Sequence, residues 1–180
     1  MIIGENVYLR LMEKRDVKYK VRWVNDPVVR KTLFFQDISE IGTEQWLTKV
    51  ASNNSRNDYV ICENGNDSPI GFASVVNIDL INSSAETYIC VGDKNYWGKG
   101  YGTEVKKLLT EYVFMELGLN RVYAYNWAEN KGMIRINEKL GFTLEGTLRQ
   151  DRYSNGEYKD RVLFSMLKEE FLELNRRKSE

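Results

Sequence analysis

Three glycines and a lysine stand together just past the middle of the chain, in the stretch NYWGKGYGTE. Gly98, Gly100 and Gly102 alternate with larger residues, and Lys99 lies between the first two. Backbone N–H groups at the start of a helix carry a partial positive charge, and glycine lets a ligand approach because it has no Cβ. The pattern predicts a cradle for a phosphate-like anion, with a tight turn that binds nothing as the alternative.

Two familiar phosphate motifs do not fit these glycines. A P-loop has four residues between its first glycine and its Gly-Lys-Ser/Thr end, whereas five residues separate Gly92 from Gly98-Lys99 here. In addition, Gly100 stands where the motif has the Ser or Thr whose hydroxyl binds magnesium. A dinucleotide fingerprint needs a third glycine where this chain has Thr103. Both readings therefore become minor alternatives, and a phosphate ligand of another class is favoured.

A carboxylate on the preceding strand could serve as a base. Residues 84–93 alternate as a strand, which places Glu86, Tyr88 and Cys90 on one face. Apolar neighbours raise the pKa of a carboxyl group, and a raised pKa suits a base that works near neutral pH. Glu86 is the candidate base and Tyr88 a candidate partner. A rim charge or ion pair for Glu86, and simple packing for Tyr88, are the alternatives.

The chain contains no histidine. Serine–histidine and cysteine–histidine nucleophile systems are therefore excluded, and no metal is expected, because most zinc sites use histidine. Proton transfer is left to carboxylates, tyrosine, lysine, cysteine, an α-amine or water.

Charge and hydropathy exclude further classes. Lys plus Arg and Asp plus Glu both number 26, so there is no basic excess for nucleic acid. No apolar run approaches the roughly 18 residues of a membrane span, and the N-terminus lacks a signal-peptide pattern. Cys62 and Cys90 lie in apolar strands, which is typical of free thiols in a cytoplasmic protein.

The elements that position these residues alternate along the chain. Periodicity predicts strands over 6–12, 57–64, 69–80, 84–93 and 120–127, helices over 14–26, 43–54, 101–117 and 130–142, a short helical piece over 27–35, and a closing hairpin over 143–168 that turns at Asn155-Gly156. The 180 residues suit one domain, with 169–180 as a C-terminal tail. We expect a single-domain α/β fold with a mixed, mostly antiparallel sheet flanked by helices.

Two stretches together resemble the GCN5-related N-acetyltransferases, the GNAT superfamily. Residues 97–102 match its acyl-CoA motif Q/R-x-x-G-x-G/A, with Trp97 in place of Gln or Arg, and NWAENKGMIRINEKLGF follows at the expected distance. The likeness runs from NVYLRLMEKRDV to VLFSMLKEEF and is greatest to the branch of ribosomal-protein N-terminal acetyltransferases.

This resemblance implies acetyl-CoA as the donor, held where two central strands splay apart. The implied cofactor contacts are Ile89, Cys90, Val91, Trp97, Gly98, Lys99, Gly100, Tyr101, Gly102, Thr103, Asn126 and Asn130. Asn130 can also be a plain helix N-cap, and the two roles are compatible. Many family members carry a tyrosine where this chain has Asn137, so this amide is the candidate group at the leaving sulfur, with water as the alternative.

The resemblance also implies that the early helices wall the acceptor site. Trp23, Phe34 and Phe35 would line it together with Glu86, with core packing as the alternative for the aromatics. Nearby acids that could attract an ammonium group are Asp26, Asp37 and Glu40.

The sequence as a whole predicts a cytoplasmic, acetyl-CoA-dependent N-acetyltransferase in which the amine attacks the thioester directly. The acceptor would be a protein N-terminus, a polyamine or an amino sugar. Dimers are common in the family, so a homodimer is allowed, although no pattern demands one. An acyl-CoA sensor without turnover is the alternative.

Overall fold

The computed structural model describes residues 1–154 and 156–179 of the chain. Its strands are β1 (Ile2–Ile3), β2 (Val7–Leu11), β3 (Asn57–Glu63), β4 (Pro69–Asp79), β5 (Ser84–Val91), β6 (Arg121–Trp127), β7 (Thr143–Ser154) and β8 (Glu157–Leu167). They form one sheet in the order β1-β2-β3-β4-β5-β6-β8-β7. Only the pairing of β5 with β6 is parallel among the described strands. The expected mixed, mostly antiparallel sheet is confirmed.

The helices are α1 (Val17–Asn25), α2 (Pro27–Arg30), α3 (Glu40–Val50), α4 (Tyr101–Glu111), α5 (Lys131–Leu140) and α6 (Lys168–Ser179). Short 3-10 turns cover Lys14–Asp16 and Lys94–Tyr96, and a π-helical turn at Tyr112–Glu116 continues α4.

Some boundaries differ from the periodicity predictions. The third helix starts earlier than residue 43 because the Ser39 hydroxyl caps it, accepting from Gly42 N at 3.0 Å. The helical piece predicted over 27–35 ends at Arg30. Residues 169–180, expected as a tail, contribute all but their last residue to α6, and Phe171 packs against Phe114. Asn155 of the predicted hairpin turn lies outside the described residues.

Two hydrophobic clusters cover the two faces of the sheet. Val105 and Leu109 of α4 pack on one face with residues such as Ile89. Trp23 of α1 packs on the other face with Phe72 and Cys90. Because neighbouring residues of β5 point to opposite faces, Ile89 faces α4 and Cys90 faces α1. Side chains at alternate positions of β5 therefore approach the space beside this strand from the α4 side or from the α1 side.

The sheet opens between its two central parallel strands. β5 and β6 are paired only from Ser84 to Glu86, opposite Arg121 to Tyr123. Beyond that point β5 stays paired with β4 as far as Val91, and β6 stays paired with β8 as far as Trp127. The strands therefore diverge, which confirms the expected splay, and one edge of β5 faces the gap.

Candidate active site

A cavity of about 940 Å³ fills the gap between β5 and β6. Its walls come from the loop after α2, the diverging part of β5, the glycine stretch with the start of α4, and one face of α5. Glu86 on β5 and the glycines at the start of α4 line the same cavity. The structure thus brings the predicted base and the predicted anion cradle together.

The glycines of the cradle serve two different needs. Gly98 and Gly100 have φ angles of 74° and 90°, and a Cβ added to either would meet no atom within 4 Å. They are required by the left-handed backbone and leave space open at the start of α4. Gly102 is required by packing, because a Cβ there would lie 3.1 Å from Ile136 Cδ1 of α5.

The first turn of α4 faces this open space. A helix leaves its first N–H groups without intrahelical partners, and its N-terminus carries a partial positive charge. Gly98, Lys99, Gly100, Gly102 and Thr103 all line the cavity here. Such an arrangement can bind a diphosphate through main-chain amides, with Lys99 adding a positive charge.

Trp97 and Tyr101, also predicted at the cofactor, are placed differently. Trp97 lines the cavity and donates from Nε1 to the carbonyl oxygen of Val91 at 2.6 Å, which ties the motif to the edge of β5. The Tyr101 hydroxyl donates to Glu63 at 3.2 Å, and its side chain is not among those that line the cavity. The side chain of Tyr101 is therefore not at the predicted cofactor site.

The remaining predicted cofactor residues form the walls of the gap. Ile89, Cys90 and Val91 line it from β5, and Asn126 and Asn130 line it from the opposite side. Burial raises the pKa of the Cys90 thiol to about 12, so this thiol stays protonated and cannot serve as a nucleophile near neutral pH.

Asn130 and Asn126 also have structural roles. Asn130 Oδ1 accepts a hydrogen bond from Met133 N at 3.1 Å, which caps α5, so the capping role is present beside its place in the wall. Asn126 Oδ1 accepts from Asn137 Nδ2 at 2.8 Å. Asn137 itself is fully buried, does not line the cavity, and its Oδ1 has no hydrogen-bond donor among the described residues.

Glu86 lies at the deep end of the cavity, where the pairing of β5 with β6 ends. Its Oε2 accepts a hydrogen bond from Asn77 Nδ2 at 2.9 Å. Asn77 has a φ of 51° at an irregularity in β4, which turns its amide toward this carboxylate. Burial raises the pKa of Glu86, while the Asn77 hydrogen bond and the charge of Arg161 oppose the rise. A half-buried carboxylate of this kind can accept a proton near neutral pH.

Tyr88 lines the cavity on the same face of β5 as Glu86. Burial raises the pKa of its hydroxyl, so the hydroxyl stays protonated and can donate hydrogen bonds. Phe35 packs against it with ring centroids 6.2 Å apart. Tyr88 is thus both a wall residue and an available donor.

The predicted acceptor aromatics divide into two groups. Phe34 and Phe35 line the cavity, and the loop that carries them is fixed by a hydrogen bond from Trp127 Nε1 to the Leu33 carbonyl at 2.9 Å. Trp23 is only 6% exposed and does not line the cavity. It packs against Phe72 in the core, which is the alternative that the sequence had left open.

Two of the acids predicted near the acceptor are already in ion pairs. Asp26 accepts from Lys94 Nζ at 2.7 Å, and Asp37 is paired with Arg30. Among the described residues that line the cavity, Glu86 is the only acid.

Sequence reasoning missed Lys106, Thr87 and Tyr125, which all line the cavity. Lys106 is fully buried, and its Nζ donates to Thr87 Oγ1 at 2.6 Å. A signal was present, because Gly102, Lys106 and Leu109 are spaced by four and three residues and so share the inner face of α4. A lysine on an inner face is unusual and could have been singled out.

Comparison with known proteins gives the family. Residues 6–143 match the acetyltransferase (GNAT) domain, which is well over half of the chain. The chain belongs to the GNAT acetyltransferase family. It is an N-acetyltransferase with acetyl-CoA as co-substrate, as the resemblance to this family implied. No helix in the described ranges is long and apolar enough to span a membrane.

Individual relatives agree with this assignment. The chain is 32% identical over 171 residues to the N-acetyltransferase p20 of Bacillus licheniformis, covering 93% of this chain and 96% of the relative. It is 28% identical over 175 residues to spermidine N(1)-acetyltransferase of Escherichia coli, covering 94% and 90%. A crystal structure of spermidine N-acetyltransferase from Vibrio cholerae, in complex with CoA and spermine, superposes with a TM-score of 0.88 at 24% identity, covering 94% and 99%. At that identity the superposition shows the fold.

Proposed function

We propose that this GNAT enzyme binds the diphosphate of acetyl-CoA at residues 98–103 and uses Glu86 to activate a primary amine. The observation that supports this most is the continuity of one cavity from the start of α4 to the end of the parallel pairing of β5 with β6. A donor anchored by its phosphates at one end can place its thioester beside the carboxylate at the other end.

In the proposed reaction, Glu86 takes a proton from the acceptor nitrogen as that nitrogen attacks the thioester carbonyl carbon. In this proposal, backbone N–H groups on the free edge of β5 stabilise the negative charge on the carbonyl oxygen. The carbon–sulfur bond then breaks and sulfur takes its electron pair. No covalent enzyme intermediate is needed, which agrees with the protonated state of the Cys90 thiol.

The acceptor end favours an amine with one ammonium group and a neutral body. Phe34, Phe35 and Tyr125 give this end aromatic walls, and Glu86 is the only acid among the described lining residues. The ion pairs of Asp26 and Asp37 leave less negative charge to hold the further ammonium groups of a polyamine. We therefore rank a protein N-terminus or an amino sugar above a polyamine as the acceptor. The name of the Escherichia coli relative, spermidine N(1)-acetyltransferase, supports the polyamine instead.

A turnover assay that detects the thiol of released CoA tests this function. Acetyl-CoA would be supplied with an N-terminal peptide, glucosamine and spermidine in parallel. We expect CoA release that depends on the added amine. The kcat/KM for spermidine should be lower than that for the N-terminal peptide or for glucosamine. Tight CoA binding without release on any amine would instead support a non-catalytic sensor. A spermidine preference would overturn the acceptor ranking and leave the reaction class in place.

We also propose a cytoplasmic location. Cys62 and Cys90 are buried, unpaired thiols, and such thiols persist most readily where the surroundings are reducing.

A further inference from the structure

Lys106 is a buried lysine without a carboxylate hydrogen-bond partner among the described residues. Its side chain is fully buried, and its Nζ has one hydrogen bond, to the hydroxyl of Thr87. The ammonium also lies 4.5 Å from the ring centroid of Phe142. Burying an ammonium group without a countercharge is costly, so a purely structural lysine is a poor choice at this position.

Its position in the cavity indicates a use. On α4 it lies one helical turn beyond Gly102, so the anion cradle and the ammonium lie along the same wall. Thr87, which holds it, is the first residue of β5 beyond the parallel pairing that ends at Glu86. The ammonium therefore lies near the apex of the gap, at the end that a donor anchored in the cradle would reach with its thioester.

Lys106 and Glu86 reach this apex from opposite faces of the sheet. Glu86 shares its face of β5 with Tyr88, on the side of α1, whereas Thr87 directs Lys106 from the side of α4. Glu86 is thus on the side from which it can reach the acceptor amine. Lys106 is on the side from which it can reach the sulfur end of the donor. Of the charged groups around it, Glu86 on β5 is the one whose charge acts on the pKa of Lys106.

We propose that Lys106 is the catalytic acid that protonates the leaving sulfur of CoA, an assignment that rests on the proposed function of the site. As the carbon–sulfur bond breaks, sulfur takes the bonding electron pair and a proton from the ammonium group. Lys106 is left as a neutral amine beside the Thr87 hydroxyl. Glu86 gains one proton and Lys106 gives up one, so exchange with solvent restores both groups.

The ionisation of the lysine suits this role. Burial lowers the pKa of Lys106 to about 7, while the charge of Glu86 opposes the fall. An acid is most effective when its pKa lies near the working pH, whereas an ordinary lysine holds its proton too firmly. Because the acid must be protonated to act, turnover decreases as the pH rises through this pKa.

The test compares Lys106→Met with Lys107→Met, its exposed neighbour on the same helix. Wild-type turnover with an acceptor is measured first, and its absence would overturn the proposed function together with this role. We expect Lys106→Met to lower kcat by at least about 100-fold and to abolish the decrease at high pH. Lys107→Met should behave as the wild type. A Lys106→Met enzyme with kcat within about threefold of wild type, or with the high-pH decrease intact, overturns the role of Lys106 alone.

A second readout does not depend on turnover. A nearby ammonium stabilises a thiolate, so the thiol of bound CoA should have a lower pKa in the wild-type complex than in the Lys106→Met complex. Thiolate absorbance during a pH titration measures this difference, and equal values in the two complexes would contradict the proposal.

If Lys106→Met does not fold, Thr87→Val tests the role of Lys106 instead. It removes the hydroxyl that accepts the hydrogen bond from the ammonium and keeps the lysine. Loss of that bond favours the neutral amine, so the high-pH decrease in turnover should move to lower pH. An unmoved decrease would overturn the assignment.

Discussion

Glu86 and Lys106 are a carboxyl group and an ammonium group whose pKa values burial moves toward each other. The pKa of Glu86 is raised and that of Lys106 is lowered to about 7. Groups shifted in this way can exchange protons with substrates near neutral pH, which their ordinary pKa values would not allow. The shifts arise from the same cause, the water-poor apex of the gap between β5 and β6.

Glu86→Gln tests the base at this scale. A raised pKa means that the wild-type carboxyl loses its proton, and so becomes an active base, only above that pKa. We expect kcat/KM of the variant to fall by about 100-fold between the Glu86 pKa and the pKa of the acceptor amine, and the loss to shrink at higher pH, where the amine is already neutral. Initial rates across the pH range measure it.

Two further variants control this test. Glu111→Gln changes an exposed acid on α4 and should leave the profile unchanged. Asn77→Ala removes a hydrogen bond that lowers the pKa of Glu86, so the decrease in activity at low pH should begin at a higher pH. A flat Glu86→Gln profile with wild-type rates would make Glu86 a rim charge, the alternative that the sequence left open.

Among the elements, the start of α4 carries most of the proposed donor site. Gly100 precedes the helix with a φ of 90° and has open space where a Cβ would be. We expect Gly100→Val to weaken CoA binding by at least about 50-fold, because the added side chain occupies the space meant for the diphosphate. Calorimetric titration with CoA gives the affinity.

Gly118→Val is the matched control for backbone strain. Gly118 has a φ of 69°, also has no atom within 4 Å of an added Cβ, and does not line the cavity. Both variants should lose about 1–2 kcal/mol of folding free energy, since both force a side chain into the left-handed region. Only Gly100→Val should lose CoA affinity; equal affinities would mean that the cradle does not hold the diphosphate.

Most of the elements were readable from the sequence because their periods are local, although α6 was expected as a tail and β1 was not predicted. The stripe of Val105 and Leu109 defined α4, and alternation around Cys90 defined β5 and both of its faces. The divergence of β5 from β6 was not a local property. It depends on which residue pairs lie opposite each other across the sheet, so it came from the family resemblance.

Predictions for single residues differed from the structure where a local sequence rule and the tertiary packing disagree. Lys106 was missed because lysine is normally a surface residue, and here it faces inward. Trp23 was expected in the acceptor site, but its ring fills the core beside Phe72, so close to Gly92 that a Cβ there would lie 2.2 Å from it. For Asn137 the motif fixed the position in α5, whereas only the packing of α5 shows that its side chain does not line the cavity.

At the scale of the whole molecule, the opened sheet allows two substrates to meet. In the proposed arrangement the donor lies along α4 on one face, and the acceptor enters past the loop after α2, where Phe34 and Phe35 line the cavity. The reacting atoms would meet between β5 and β6, where Glu86 and Lys106 converge from opposite faces. In this proposal the base approaches from the face that carries the Trp23 cluster and the acid from the face that carries the Val105 cluster.

A crystal structure of the CoA complex tests this arrangement most directly. The account predicts that the diphosphate lies on the amides at the start of α4, beside Gly100, and that the sulfur lies in the gap near Thr87, within reach of Lys106. A complex in which CoA binds outside the gap between β5 and β6, or in which the diphosphate does not contact residues 98–103, would contradict it.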